Sequence, residues 1–276
     1  MNGKMNGNMI FESAGYTYSG RREENEDSYS SDDDLALFVV ADGMGGRRGG
    51  ALASRLAVDA VSEVYDTAER DPGLTWPLGI DANLSFDEGI VELAIRQANR
   101  AVCEHKTAPV TNMGSTIAVI AMRDGKAVMA HVGDSRIYRF RGGELELLTE
   151  DHSLYSELKQ SGATDLPPKS EFAYAHIITR ALGRRDRAKP DIRSESLMPN
   201  DVFLLCSDGL TGVVPDEVIA DILGSCPPSD AGPRLVHEAY RMGSSDNITA
   251  VVVRVAEKRH PQVTFDHSMS ASAPSM

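Results

Sequence analysis

The sequence predicts a layered α+β domain, with sheets packed together and helices outside. Short apolar runs joined by tight turns call for antiparallel sheet, because a hairpin reverses the chain between neighbouring strands. Two long amphipathic helices fall between an early strand and the block of hairpin-linked runs, which argues against a doubly wound parallel fold. At 276 residues the chain can bury one substantial core.

In chain order, the first firm strand is LALFVV (35–40). A helix follows between Ala51 and Tyr65, where apolar residues at 52, 56, 57, 60, 61 and 64 make one face. The stretch 71–89, with the single tryptophan Trp76, reads as a long packed loop. A second helix covers roughly 85–105, buries Ile90, Leu93, Ala94, Ala98, Ala101 and Val102, and opens on Ser85 and Glu88 in the spacing of a capping box. Strands TIAVIAM (116–122) and AVMAHV (127–132) flank the turn Asp124-Gly125, and RIYRF (136–140) precedes Gly142-Gly143. Helices at 153–161, 216–223 and 230–242 are expected to close on Gly162, Gly224 and Gly243. The last strands are VFLLC (202–206) and ITAVVVRV (248–255). Residues 1–8 and 257–276 are Asn/Gly/Met-rich or small and polar and are expected to be disordered, which leaves 9–256 as the folded domain.

Hydrophobic residues make up 41% and charged residues 25%, the profile of an ordinary globular protein. The net charge of −13 disfavours a nucleic-acid partner, which requires a basic face. No run approaches the ~20 apolar residues of a membrane helix, and the first residues do not resemble a signal peptide. Cys103, Cys206 and Cys226 are an odd set without metal-site spacing, and Cys206 lies in an apolar run. A monomer in the reducing cytoplasm, with no membrane contact, is the expectation.

Chemistry points to the aspartates. Asp42 ends the strand LALFVVA, and Asp134 follows AVMAHV by one glycine. Asp208 follows VFLLC by one serine, Asp246 precedes the final strand, and Asp27 closes the polar run RREENED. Carboxylates are poor strand formers and costly at a buried end unless paired. If these strand ends converge, their mutual repulsion demands cations. The scattered histidines give no zinc spacing, so an all-oxygen set suits Mg2+ or Mn2+. Neither a G-x-S-x-G elbow nor a P-loop occurs.

The blocks RREENED (21–27), VVADGMGG (39–46), GST (114–116), HVGDSR (131–136), TEDH (149–152), ITRALG (178–183), LCSDGL (205–210) and SDNIT (245–249) resemble, in order, the motifs of the metal-dependent protein phosphatases, the type 2C or PPM group, and most of all its bacterial members. The resemblance runs from about residue 12 to 255 and implies a four-layer α-β-β-α sandwich, two antiparallel sheets between helical pairs. It implies that Asp42 bridges two central Mn2+ or Mg2+ ions and that the Gly43 carbonyl binds one of them. Asp208 and Asp246 would complete one ion's ligands, and Glu26 and Asp27 would hold the other, partly through water. Asp134 matches a ligand of a third, weaker ion, and Arg22 matches the arginine that grips the substrate phosphate. The implied reaction is hydrolysis of phosphoserine or phosphothreonine by in-line attack of a metal-bridging hydroxide, with no phosphoenzyme. Arg22, Asp42 and Asp208 would be the catalytic groups, and phosphorylated proteins, including a serine/threonine kinase and its substrates, the partners.

Other motif residues have plainer readings. Arg136 and His152 are read as structural, and Asn247 as orienting Asp246 or capping its turn. Met44 stands where eukaryotic relatives often carry a histidine after the Asp-Gly pair, and it cannot donate a proton, so the general acid stays unassigned. Residues 161–177, within a flap region of about 153–178, match the bacterial pattern only loosely, so substrate preference does not transfer. Two rival readings remain, a non-catalytic module of the same fold and a metal-dependent hydrolase of small phosphoesters. The complete carboxylate set disfavours the first, and the motifs do not decide on the second.

Overall fold

The structure is a computed structural model, and it describes residues 9–46, 49–71, 81, 83–106, 111–184 and 188–257. The expectations for residues 1–8, for the tail beyond Glu257 and for Trp76 fall outside the described residues.

Two antiparallel sheets form the centre. The first has the order β1 (Met9–Tyr18), β11 (Ile248–Glu257), β10 (Val202–Cys206), β7 (Arg136–Arg141) and β8 (Glu144–Leu147). The second runs β2 (Asp27–Asp32), β3 (Leu37–Met44), β5 (Ile117–Arg123), β6 (Lys126–Val132) and β9 (Asp191–Ser196), with the two-residue β4 (Gly114–Ser115) paired to the end of β3. Helices α1 (Gly49–Arg70) and α2 (Phe86–Glu104) cover the second sheet, while α5 (Asp216–Ser225) and α6 (Pro228–Arg241) cover the first. Shorter helices α3 (Leu154–Gln160) and α4 (Asp208–Thr211) lie in connections.

Side-chain alternation builds three stacked cores. On β3, Leu37, Val39 and Ala41 face α1 and α2, while Phe38 and Val40 face the other sheet. On β10, Phe203 and Leu205 point between the sheets, and Val202, Leu204 and Cys206 point to α5 and α6. Both faces of strands such as β3 and β10 are buried, which is why they read as continuous apolar runs and not as alternating ones. The result is the α-β-β-α sandwich.

The hairpin turns form as their sequences demand. Asp124 and Gly125 have φ of 49° and 75°, and Gly142 and Gly143 have 61° and 92°. Two consecutive positive values define the tight turn whose twist matches antiparallel strands. The Ser85–Glu88 capping box is present at the start of α2.

Several expectations need correction. The helix read over 51–65 extends over Gly49–Arg70. Gly224 does not close its helix, which continues to Ser225; it lies where a Cβ would stand 2.9 Å from the Phe140 ring. Asp27 does not merely close a polar run but begins β2, directly opposite Asp42 of β3. The strands β2, β8 and β9 have no apolar run to announce them, being polar edge strands.

Candidate active site

The seam between the sheets is where the aspartates meet. Asp27 and Asp42 are register partners in one sheet, while Asp208 follows β10 and Asp246 precedes β11 in the other. Asp134 lies in the β6–β7 connection that carries the chain from one sheet to the other. Antiparallel pairing sends the end of β10 and the start of β11 to the same edge, so residues far apart in sequence arrive together.

The Asp27 and Asp246 carboxylates and the backbone of Asp42 are held by backbone or hydroxyl groups. Asp27 is buried, and its Oδ2 accepts hydrogen bonds from Ser207 Oγ (2.8 Å) and Thr249 Oγ1 (2.6 Å), both from the opposite sheet. The Asp42 backbone is clamped by Thr116, whose Oγ1 accepts from the Asp42 N–H at 3.0 Å while its own N–H donates to the Asp42 carbonyl at 2.8 Å. Asn247 fastens the segment that carries Arg22 and Glu26. Its Oδ1 accepts from the Glu26 N–H (2.8 Å), and its Nδ2 donates to the carbonyls of Ser19 (3.0 Å) and Glu24 (2.9 Å). Its backbone N–H donates to Asp246 Oδ1 at 2.9 Å, so it both orients Asp246 and ties down the neighbouring loop.

An open cleft of about 560 Å3 exposes the group, lined among others by Arg22, Glu26, Asp42, Gly43, Asp208 and Asp246. Asp27 lies behind Asp42 and does not line it, and Asp134 lies in an adjoining cleft that shares Asp208. Arg22 sits at the mouth, its guanidinium 2.9 Å from Asp246 Oδ2 and more than half exposed. Gly50 keeps room open here, because a Cβ on it would lie 2.6 Å from the Glu26 carboxylate and 2.8 Å from the Gly43 carbonyl oxygen.

Buried carboxylate oxygens of Glu26, Asp27, Asp134 and Asp208 have no hydrogen-bond partner among the described residues. Orphaned buried charges of one sign are costly, and hard cations satisfy such a set. The protonation equilibria show the same strain. Burial, against its hydroxyl hydrogen bonds and with Asp208 and Asp246 nearby, pushes Asp27 up to about 7. Burial, helped by Asp208 and Asp151, does the same to Asp134. Asp42 is held well above the usual carboxylate range by burial and by the surrounding aspartates. Glu26 and Asp208 are raised as well, in both cases mainly by burial. The residues present therefore fit a centre of divalent cations.

Residues 14–225 match the family profile described as Protein phosphatase 2C. The chain belongs to the protein phosphatase 2C family. It is 34% identical over 245 residues to protein phosphatase PhpP of Streptococcus pneumoniae, covering 86% of this chain and 94% of that one. Its fold is similar to the serine/threonine phosphatase PstP/Ppp of Mycobacterium tuberculosis, with a TM-score of 0.77, 30% identity and coverage of 90% of this chain and 99% of that one. It is equally similar to the catalytic domain of the phosphatase PstP in complex with two manganese ions, with a TM-score of 0.76, 30% identity and coverage of 90% and 100%. Asp246 and Asn247 lie beyond the segment matched by the profile and join the site through β11.

Other predicted residues have structural partners in this phosphatase 2C fold. Arg136 binds Asp151 through two contacts of 2.8 Å, and His152 Nδ1 accepts from the Gly133 N–H at 3.1 Å. His131, His152 and Asp191 come together, but the imidazoles are stacked at 4.5 Å and Arg180 already binds Asp191 at 2.7 Å. Stacked rings aim their in-plane lone pairs along separate planes, and the guanidinium repels cations. Sequence reasoning missed Ser207, Thr249 and Thr116 as supports. All three lie within the motif blocks GST, LCSDGL and SDNIT, but small hydroxyl residues at strand ends carry no distinctive signal.

Proposed function

We propose that this chain is a protein serine/threonine phosphatase that uses two core divalent cations, Mn2+ or Mg2+, and a third, weaker one. The observation that carries this reading is the set of partnerless carboxylate oxygens gathered at the sheet seam beneath an exposed arginine. Asp42, Asp208 and Asp246 are assigned to one core ion. Glu26, Asp27, Asp42 and the Gly43 carbonyl are assigned to the other, and Asp134 to the third. When bound, such ions act as Lewis acids, lowering the pKa of a water from ~15.7 toward ~7 and neutralising phosphate oxygens.

The chain's own groups do the remaining work. Arg22 stands where its planar fork can bind two phosphate oxygens together, and Asp246 holds it in place until substrate arrives. Among the described residues lining the cleft there is no serine, threonine, cysteine or histidine, which supports direct attack by water over a covalent intermediate on any of these. Met44 lines the cleft and has no proton to give, so a leaving alkoxide takes its proton from solvent or from a carboxylic acid of the cluster. The catalytic unit is assigned to residues 9–256. Phosphorylated proteins of the cytoplasm, a serine/threonine kinase and its targets among them, are the assigned substrates. Among the described residues no helix is long and apolar enough to cross a membrane.

The test is Mn2+-dependent hydrolysis of p-nitrophenyl phosphate and of a phosphothreonine peptide by wild type and Asp208→Ala. Both substrates are expected to turn over in wild type only. Activity confined to the small ester would overturn the protein-substrate assignment. Inactivity toward both would leave a binding module.

A further inference from the structure

Beside the main cleft, the adjoining one of about 380 Å3 holds Asp134, Asp151, Asp208, Arg136 and Lys169. Its charges are unevenly shared. Asp151 already receives two hydrogen bonds from Arg136, yet the Lys169 ammonium also lies 2.7 Å from its Oδ2. Asp134, nine-tenths buried, and Asp208 each keep an oxygen with no partner. Among the described residues, one carboxylate thus pairs with two cations while its two neighbours pair with none. The Lys169 side chain is 42% exposed and sits on a flexible stem, so its ammonium can move at little cost.

We propose that Lys169 is a tethered cation that competes with a divalent ion for the Asp134–Asp208 cleft and so sets how weakly the outer ion binds. The inference rests on the reading of Asp134 as an outer ligand, but it assigns a residue from the flap a role that none of the motif blocks carries. Arg136 satisfies Asp151 alone, so Lys169 is spare for structure and its charge is available to oppose a second cation nearby. The lysine begins the 3-10 turn Lys169–Glu171, and Phe172 and His176 just beyond it line the same cleft.

Mn2+ titration of the full chain, followed by calorimetry and by the paramagnetic resonance of free Mn2+, tests this without any turnover. Lys169→Met is expected to tighten the weakest ion about tenfold, as removal of one charge several ångströms from a divalent ion predicts. The two tighter ions should not move, and Lys169→Arg should bind as wild type does. The gain should vanish in the Lys169→Met/Asp134→Asn double variant. Lys169→Gln repeats the measurement with a polar side chain should the methionine variant fold poorly. An unchanged or weakened outer ion in both neutral variants overturns the proposal, as does a gain that survives Asp134→Asn. Absence of a third ion from every variant also overturns it while leaving the core pair intact. Failure of wild type to bind any Mn2+ defeats the metal centre itself.

Discussion

Asp42 and Asp208 each sit among like charges and form no ion pair among the described residues, so the proposed role of holding metal and the stability of the metal-free fold pull in opposite directions. Replacing either by alanine is expected to lower Mn2+-dependent turnover by ~10^3-fold or more, since several kcal/mol of charge stabilisation goes with the ligand. The metal-free variants should melt no lower than wild type, because removing one carboxylate relieves repulsion. A clear fall in melting temperature would show that the cluster stabilises the apoprotein. The pH dependence has a definite sign. Asp27 and Asp134 rise from the ordinary carboxylate value near 3.8 to about 7 on folding. At intermediate pH the native state holds more protons than the unfolded chain, so the contribution of these groups falls as pH rises from ~4 to ~7 and stays low above that. Metal-free wild type should lose stability across this window relative to Asp134→Asn, as thermal melts at fixed ionic strength would show. At this scale the sequence was legible where a carboxylate broke an apolar run, as Asp42 and Asp208 do. Lys169 and the hydroxyls on Asp27 were not legible, because neither their composition nor their spacing marks them until the chain is folded.

Elements were legible according to their place in a sheet. The runs that became β3, β5, β6, β10 and β11 are interior strands, buried on both faces for most of their length and therefore largely apolar, while interior β7 (RIYRFR) interleaves arginines and buries only Ile137 and Tyr138. The strands without such a signal, β2, β8 and β9, are edges, where DSYSSD, ELEL and DIRSES face water and resist pairing with other chains. The fourth edge, β1, mixes both characters along MIFESAGYTY. Helix starts were clearer, because capping is local chemistry. In α2 the Glu88 carboxylate accepts from the Ser85 N–H at 2.9 Å and also from Ser194 Oγ of β9 at 2.7 Å, so the cap ties a helix to an edge strand. Ser85→Ala is expected to cost about 1 kcal/mol in denaturant unfolding, with little change in activity. A neutral result would mean that Glu88 and β9 hold the helix end without the serine.

For the molecule as a whole, the centre joins two sheets that otherwise meet mainly through apolar side chains. With the proposed ligands drawn from both sheets, cation binding is expected to favour the folded state by mass action. Mn2+ at about a hundred times its dissociation constant should add ~2.7 kcal/mol, raising the melting temperature by several degrees, and EDTA should reverse it. No shift on adding Mn2+ would show that the carboxylates do not close on an ion. The strand β1 pairs along its whole length with β11, from Met9 opposite Glu257 to Tyr18 opposite Ile248. That pairing has a consequence for biosynthesis. Every residue up to Gly243 can leave the ribosome while β1 still lacks its partner strand and Asp246 is still in the exit tunnel. Truncation after Gly243 is therefore expected to yield a chain with neither a cooperative melt nor hydrolysis, and retention of either would refute this. A nascent chain so arranged cannot strip phosphate from its surroundings before it is finished.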